Sequence, residues 1–174
     1  MVVVIRAAQL GDIPAITDIQ NELHDTTAIA WTDERHTVDG RTTWFHQKAA
    51  DGQPILVAVD DGTVVGFAAY GDFRDTKRWP GYRVTCELTI FVTQSHWGTG
   101  AGRQLIDELC RVAVADGKHT IVAAIDDENV ASLRFHEKAG FVEVARMPEI
   151  GTRFGRWLSL VLVQKRLTDG PPPS

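Results

Sequence analysis

Gly98, Gly100 and Gly102 alternate in the stretch His96-Trp97-Gly98-Thr99-Gly100-Ala101-Gly102, which joins an apolar run to a long amphipathic one. Glycine is a poor interior helix residue, so its repetition marks a turn that needs unusual backbone angles or a close approach. A helix that begins here exposes free backbone N–H groups and a partial positive charge. Its first turn, Ala101-Gly102-Arg103-Gln104, holds no acid to answer that charge, and Asp107 and Glu108 come too late. Thr99 could cap the helix, and an anion would serve as well. The glycines let an anion touch backbone and Arg103 adds charge, so a pyrophosphate fits. By themselves the glycines also fit a tight strand-to-helix turn with no ligand. A P-loop is excluded because no Gly-Lys-Ser/Thr follows, and a dinucleotide fingerprint fails because Arg103 stands at its third glycine.

Glu87 is the second residue with chemical meaning. It lies in Thr85-Cys86-Glu87-Leu88-Thr89-Ile90-Phe91-Val92, an otherwise apolar β-type run directly before the glycine turn. Acids are depleted in strands, so this one serves either proton transfer or an ion pair. Arg74, in Gly71-Asp72-Phe73-Arg74-Asp75, carries a guanidinium that suits a substrate carboxylate bidentately; a solvated loop arginine is the plainer reading. Asn129 reads as a helix N-cap. His136, taken alone, reads as a partly exposed helix histidine.

The elements that must position these residues follow from periodicity. Val2–Ala7 reads as a first strand, with Asp12 as N-cap of the helix that contains Pro14. Ile13, Ile16, Ile19 and Leu23 keep helical spacing, Thr26–His36 is irregular, and Val38–Ala50 is a second helix with Trp44 and Phe45 inward. Ile55–Val59 and Val64–Tyr70 form a hairpin across Asp60-Asp61-Gly62-Thr63, and Gly71–Tyr82 is loop. Strand 83–92, helix 101–116 and strand 119–125 make one βαβ unit, which requires parallel pairing. Helix 129–139, closed by Gly140, precedes strands 141–146 and 157–167. The fold class is therefore α/β with α+β character: a mixed sheet with helices on its faces.

Composition bounds the rest. The chain has 174 residues, 44% hydrophobic and 24% charged, with formal net charge −5. That suits one domain, taken as residues 1–168 with a flexible tail over 169–174. No basic run suggests nucleic acid. The six histidines lack metal-ligand spacing, so no metal is expected. Cys86 and Cys110 sit in apolar segments and read as buried free thiols of a reducing compartment. The N-terminal apolar run is too short for a signal peptide and no stretch suits a membrane span, so a soluble cytoplasmic protein is expected, with no membrane partner.

The x-x-G-x-G pattern after a strand, opening a helix, resembles motif A of the GNAT acetyltransferases. Glu128-Asn129-Val130-Ala131-Ser132-Leu133-Arg134-Phe135-His136-Glu137-Lys138-Ala139-Gly140-Phe141 resembles their second motif. From about Ile5 to Leu167 the chain is similar to the phosphinothricin and methionine sulfoximine or sulfone N-acetyltransferases. In that branch a histidine, here His136, replaces the usual tyrosine. The resemblance implies a GNAT fold, with a mostly antiparallel sheet and a splayed parallel strand pair. It implies acetyl-CoA as co-substrate, held by Ile90, Phe91 and Val92, by Gly98, Thr99, Gly100, Ala101, Gly102 and Arg103, and by Asn129. It implies acetylation of the amino group of a small amino acid or analogue, such as methionine sulfone, methionine sulfoximine or phosphinothricin, with Glu87 as general base through water and His136 assisting proton transfer near the thioester sulfur; the alternatives are another amine, a polyamine or a protein N-terminus, and a non-catalytic acyl-CoA-binding module. The oxyanion donor is expected to be a backbone N–H of strand 87–92. Arg74, Asp75, Thr76, Leu88 and Thr89 are implied as the substrate border, with Trp31 and Arg83 as weaker candidates. A homodimer is implied, with Gly151–Trp157 reaching the neighbouring subunit's site. Departures are Trp97, where the superfamily carries Arg or Gln; Leu88-Thr89, where close relatives carry His-Ser; and Phe91, where Tyr is frequent.

Overall fold

The computed structural model describes residues 3–26, 31–32 and 34–172. Its elements, in order, are β1 (Val4–Ala7), α1 (Ile13–Thr26), α2 (Val38–Ala50), β2 (Ile55–Asp60), β3 (Thr63–Asp72), β4 (Thr85–Val92), α3 (Ala101–Ala115), β5 (Thr120–Asp126), α4 (Val130–Lys138), β6 (Val142–Arg153) and β7 (Arg156–Arg166). They build a sheet in the order β1-β2-β3-β4-β5-β7-β6. Every pairing is antiparallel except β4 with β5. That exception is the βαβ unit read from the sequence.

Two cores flank the sheet. One packs Ile13, Ile16 and Ile19 of α1, with Trp44 and Phe45 of α2, against Val57, Phe67 and Ala69. The other packs Leu105, Ile106 and Leu109 of α3, with Leu133 and Phe135 of α4, against Ala68, Cys86, Leu88, Ile121 and Ala123. Leu105, Ile106, Leu109, Cys110 and Ala113 keep the i, i+4 spacing that gives α3 one apolar stripe. Leu109 is fully buried. Leu109→Ala is expected to lower the unfolding free energy by about 2–5 kcal/mol, read from urea denaturation.

Several boundaries differ from the sequence reading, each for a tertiary reason. The first strand begins at Val4; Val2 lies outside the described residues, as does part of 26–36. Asp12 does not cap α1. It sits in a 3₁₀ turn, Leu10–Asp12, where its carboxylate accepts the Gln9 N–H at 2.7 Å and pairs with Arg6. The second strand of the hairpin runs on to Asp72, because Gly71 and Asp72 pair with Glu87 and Cys86 of β4. Pro80–Val84 close into a 3₁₀ turn, so β4 starts at Thr85 and not at Arg83. The strand expected at 141–146 extends to Arg153 and turns through Phe154 and Gly155, both at positive φ, into β7. The Asp61-Gly62 turn has the same paired positive φ that two-residue hairpins use.

The feature that matters for function is a gap. β4 and β5 pair only from Thr85–Thr120 to Glu87–Val122, although β4 continues to Val92 and β5 to Asp126. The strands splay beyond that point. Among the described residues no helix is long and apolar enough to cross a membrane.

Candidate active site

The splay opens a cleft lined by Glu87, Leu88, Thr89, Ile90 and Phe91 of β4, Ala123, Ala124, Ile125 and Asp126 of β5, and Asn129, Ser132 and His136 at α4. Alternation along β4 decides what each residue contributes. Thr93 N–H donates to the Val65 C=O, so Glu87, Thr89 and Phe91 spend their backbone groups on β3. Leu88, Ile90 and Val92 turn theirs to the side from which β5 has departed. The Val92 carbonyl is taken by the Trp97 indole N–H at 2.8 Å. The Ile90 N–H and C=O and the Val92 N–H are the edge left facing the gap. Phe91 contributes its ring instead, stacked on Phe67 with centroids 5.4 Å apart.

Side chains alternate too. Glu87 shares a face with Thr89 and Phe91, on the α1/α2 side. Leu88 shares the α3/α4 side. A splayed sheet lets the cleft pass from one face to the other, so a ligand on the α3/α4 side can meet Glu87 on the opposite side. Burial pushes the Glu87 carboxyl above its ordinary range, and the Arg74 cation pulls the other way. No side-chain hydrogen bond holds Glu87 among the described residues.

His136 is 3% exposed. Its Nδ1 lies 2.9 Å from the Ser132 carbonyl, which only accepts, so Nδ1 carries the proton. Nε2 is then a bare lone pair, buried and without a partner among the described residues. Burial lowers the imidazole pKa, with the Ser132 bond opposing it. At neutral pH this histidine is an acceptor. The sequence reading of a partly exposed helix histidine does not hold, because α4 turns this position between Phe135 and Phe141. Asn129 meets both of its readings: its side chain caps α4 by accepting the Ser132 N–H at 3.0 Å, and it lines the cleft.

The glycine turn stands at the start of α3. Gly98 has φ +77° and Gly100 φ +95°, and open space surrounds both. Gly102 has a different reason: a Cβ there would lie 3.3 Å from the Phe135 ring, so it lets α4 pack on α3. Thr99 donates its hydroxyl to the His96 carbonyl at 2.8 Å, and α3 has no side-chain cap. The Ala101 N–H makes a long bond to Thr99 Oγ1 at 3.5 Å, and the Gly102 N–H in the same first turn remains available to an anion. Arg103 is already engaged, with Nε on Asp107 at 2.7 Å and Nη1 on the Lys138 carbonyl at 2.8 Å. Gly100→Ala is expected to cost about 1–2 kcal/mol of stability by thermal unfolding, since the left-handed backbone disfavours a Cβ.

The expected substrate border is partly assembled. Leu88 and Thr89 line the cleft. Arg74 is exposed, 5.2 Å over the Phe73 ring, and its charge reaches Glu87. Asp75 and Thr76 instead build the loop: Asp75 accepts the Lys77 and Arg78 N–H groups, and Thr76 donates to Asp72. Arg83 turns back to the Pro80 carbonyl. Trp31 donates its indole N–H to Asp126 at 3.0 Å. The hairpin at 151–157 folds back within its own chain, where Arg153 is buried against His24. Sequence reasoning missed the β5 wall, Ala123 to Asp126, and Ser132. An acid closing the apolar run Thr120–Asp126 was the available signal, the same one that marked Glu87.

Residues 16–141 match the acetyltransferase (GNAT) family. The chain belongs to the GNAT acetyltransferase family. It is 40% identical to an Escherichia coli protein named L-amino acid N-acyltransferase MnaT, over 97% of this chain and 96% of that one. It is 39% identical to a Salmonella typhimurium L-methionine sulfoximine/L-methionine sulfone acetyltransferase, over 97% of each chain. A solved acetyltransferase structure from Salmonella typhimurium, described with its cofactor acetyl-CoA, superposes with TM-score 0.93 at 38% identity, covering 100% of this chain and 99% of that one. Membership of the GNAT family makes the chain an acyltransferase enzyme and bears out the fold expected from the two motifs.

Proposed function

We propose that the protein transfers the acetyl group of acetyl-CoA to the α-amino group of a small amino acid analogue of the methionine sulfone, methionine sulfoximine or phosphinothricin kind. One observation carries the reading: the half-buried Glu87 carboxylate lines the gap between splayed strands, beside a helix terminus open to phosphate. The names and bound ligand of the relatives support the substrates.

In this reading the pyrophosphate rests on the N–H groups around Gly100, Ala101 and Gly102, and the pantetheine arm pairs with the free edge at Ile90 and Val92. The Asn129 amide, whose carbonyl is used in the cap, has its NH₂ left to donate to that arm. Arg74 takes the substrate carboxylate. The ammonium gives a proton through water to Glu87, and the free amine attacks the thioester carbonyl. A C–N bond forms, the backbone N–H of Ile90 or Val92 holds the oxyanion, and the C–S bond breaks. The departing thiolate takes a proton from solvent or from the newly formed amide nitrogen. His136 offers its bare Nε2 as a second acceptor for water or the amine N–H.

A homodimer and a cytoplasmic setting belong to the same reading. Phe154 and Trp157 at the β6–β7 hairpin are 70% and 65% exposed, which suits a partner surface. Cys86 and Cys110 are buried free thiols, which suits a reducing compartment. The test is thiol release from acetyl-CoA with methionine sulfone, methionine sulfoximine, phosphinothricin, common amino acids and spermidine. Turnover with the sulfone or sulfoximine supports the reading. Turnover with spermidine alone would discard the substrate class, and binding of acetyl-CoA with no turnover would discard the enzyme.

A further inference from the structure

We infer that Asp126 is a positioning residue that clamps Trp31 at the amine-side rim of the cleft, and that the clamped indole selects the substrate side chain. The inference rests on the acetyltransferase reading above and deepens it.

Asp126 closes β5, is 6% exposed and lines the cleft. The register pairs Glu87 with Val122, and period two puts Ala124 and Asp126 on that same face of the sheet. Asp126 therefore stands on the side where Glu87 meets the amine. Its two oxygens are both held: Oδ2 accepts the Trp31 indole N–H at 3.0 Å and Oδ1 accepts the Glu128 N–H at 2.9 Å. A carboxylate pinned by two N–H donors is oriented, and it orients the indole in turn. An indole has one polar atom and a wide apolar face, so one hydrogen bond sets the ring.

The ring is held from a second element. A Cβ on Gly151 of β6 would lie 2.6 Å from Trp31 Cε3 and 2.7 Å from Cζ3. Gly151 has no positive φ, so its backbone does not require glycine. What requires it is the indole lying on it. Two distant strands thus spend a carboxylate and a missing side chain on one aromatic ring. A ring fixed in advance selects a substrate without an ordering cost on binding. With both Asp126 oxygens engaged, the wall offers the indole face to a linear side chain and no free carboxylate to a cationic one.

The test uses the full chain with acetyl-CoA and methionine sulfone. Trp31→Phe and Asp126→Ala should each raise the KM for the amine by about tenfold, with kcat and the KM for acetyl-CoA little changed. Asp126→Asn keeps one of the two acceptor oxygens and should fall between wild type and Asp126→Ala. Because Asp126 acts through Trp31, the double variant should be no worse than Trp31→Phe alone. Should Asp126→Ala fail to fold, Trp31→Phe leaves the Glu128 contact intact and still tests the wall. A second readout needs no turnover: the Trp31 emission, taken in each background as the difference from its Trp31→Phe counterpart, should shift red and become more quenchable in Asp126→Ala than in wild type. Multiplying effects in the double variant, an equal loss in kcat, or unchanged emission would each overturn the clamp. If wild type acetylates nothing in the panel, the functional reading fails and the emission alone decides the clamp.

Discussion

Glu87→Gln is expected to lower kcat by about 10²–10⁴-fold, the usual worth of a positioned general base. The KM for acetyl-CoA should stay within about twofold, because the pyrophosphate and pantetheine contacts lie on other groups. Gln has the shape of Glu and no side-chain hydrogen bond is lost, so the fold is untouched. The pH profile separates this role from a structural one. Burial raises the Glu87 carboxyl above its ordinary value. The base form therefore fills in at higher pH than for an exposed glutamate, and kcat/KM should climb along that limb as pH rises. In Glu87→Gln the limb should vanish. A variant that keeps both the limb and most of its turnover would move the base assignment elsewhere, to the bare Nε2 of His136 first.

Arg74→Ala is expected to raise the KM for methionine sulfone by about 10–100-fold, the scale of a lost charge-assisted bond to a carboxylate. An amine without a carboxylate should be unaffected, so steady-state kinetics on the two substrates distinguish recognition from collapse of the loop. A second consequence has a definite sign. The Arg74 cation lowers the Glu87 pKa, against the larger effect of burial. Removing the cation leaves burial unopposed, so the acid limb of kcat/KM should move to higher pH. A limb that stays in place while KM rises would mean that Arg74 reaches the substrate and not Glu87.

Much of the site was legible because local chemistry singled it out. Glu87 was conspicuous as an acid in an apolar strand, and the glycine turn as a helix start without a capping acid. Both signals lie within a few consecutive residues. His136 was not legible in that way. A histidine on a short helix is ordinarily half exposed, and only the packing of its ring edge-on between those of Phe135 and Phe141 buries it and leaves Nε2 bare among the described residues. Asp126 carried the same local signal as Glu87 yet gains its meaning from Trp31, which is distant in the chain.

The sequence by itself determined the order of helices and strands, the βαβ unit, the acid-free first turn of α3 and the membership of the GNAT family. Those features rest on periodicity, turn chemistry and motif spacing, which are local. Only the tertiary structure decided where β4 and β5 part, which of Ile90, Phe91 and Val92 present backbone to the gap, and that Gly102 makes room for the Phe135 ring. It also decided that Arg103 is spent on Asp107 and the Lys138 carbonyl. The reason is common to all four. Strand register and the packing of one helix on another are long-range choices, and they decide which of two equivalent edges or faces a residue turns toward its ligand.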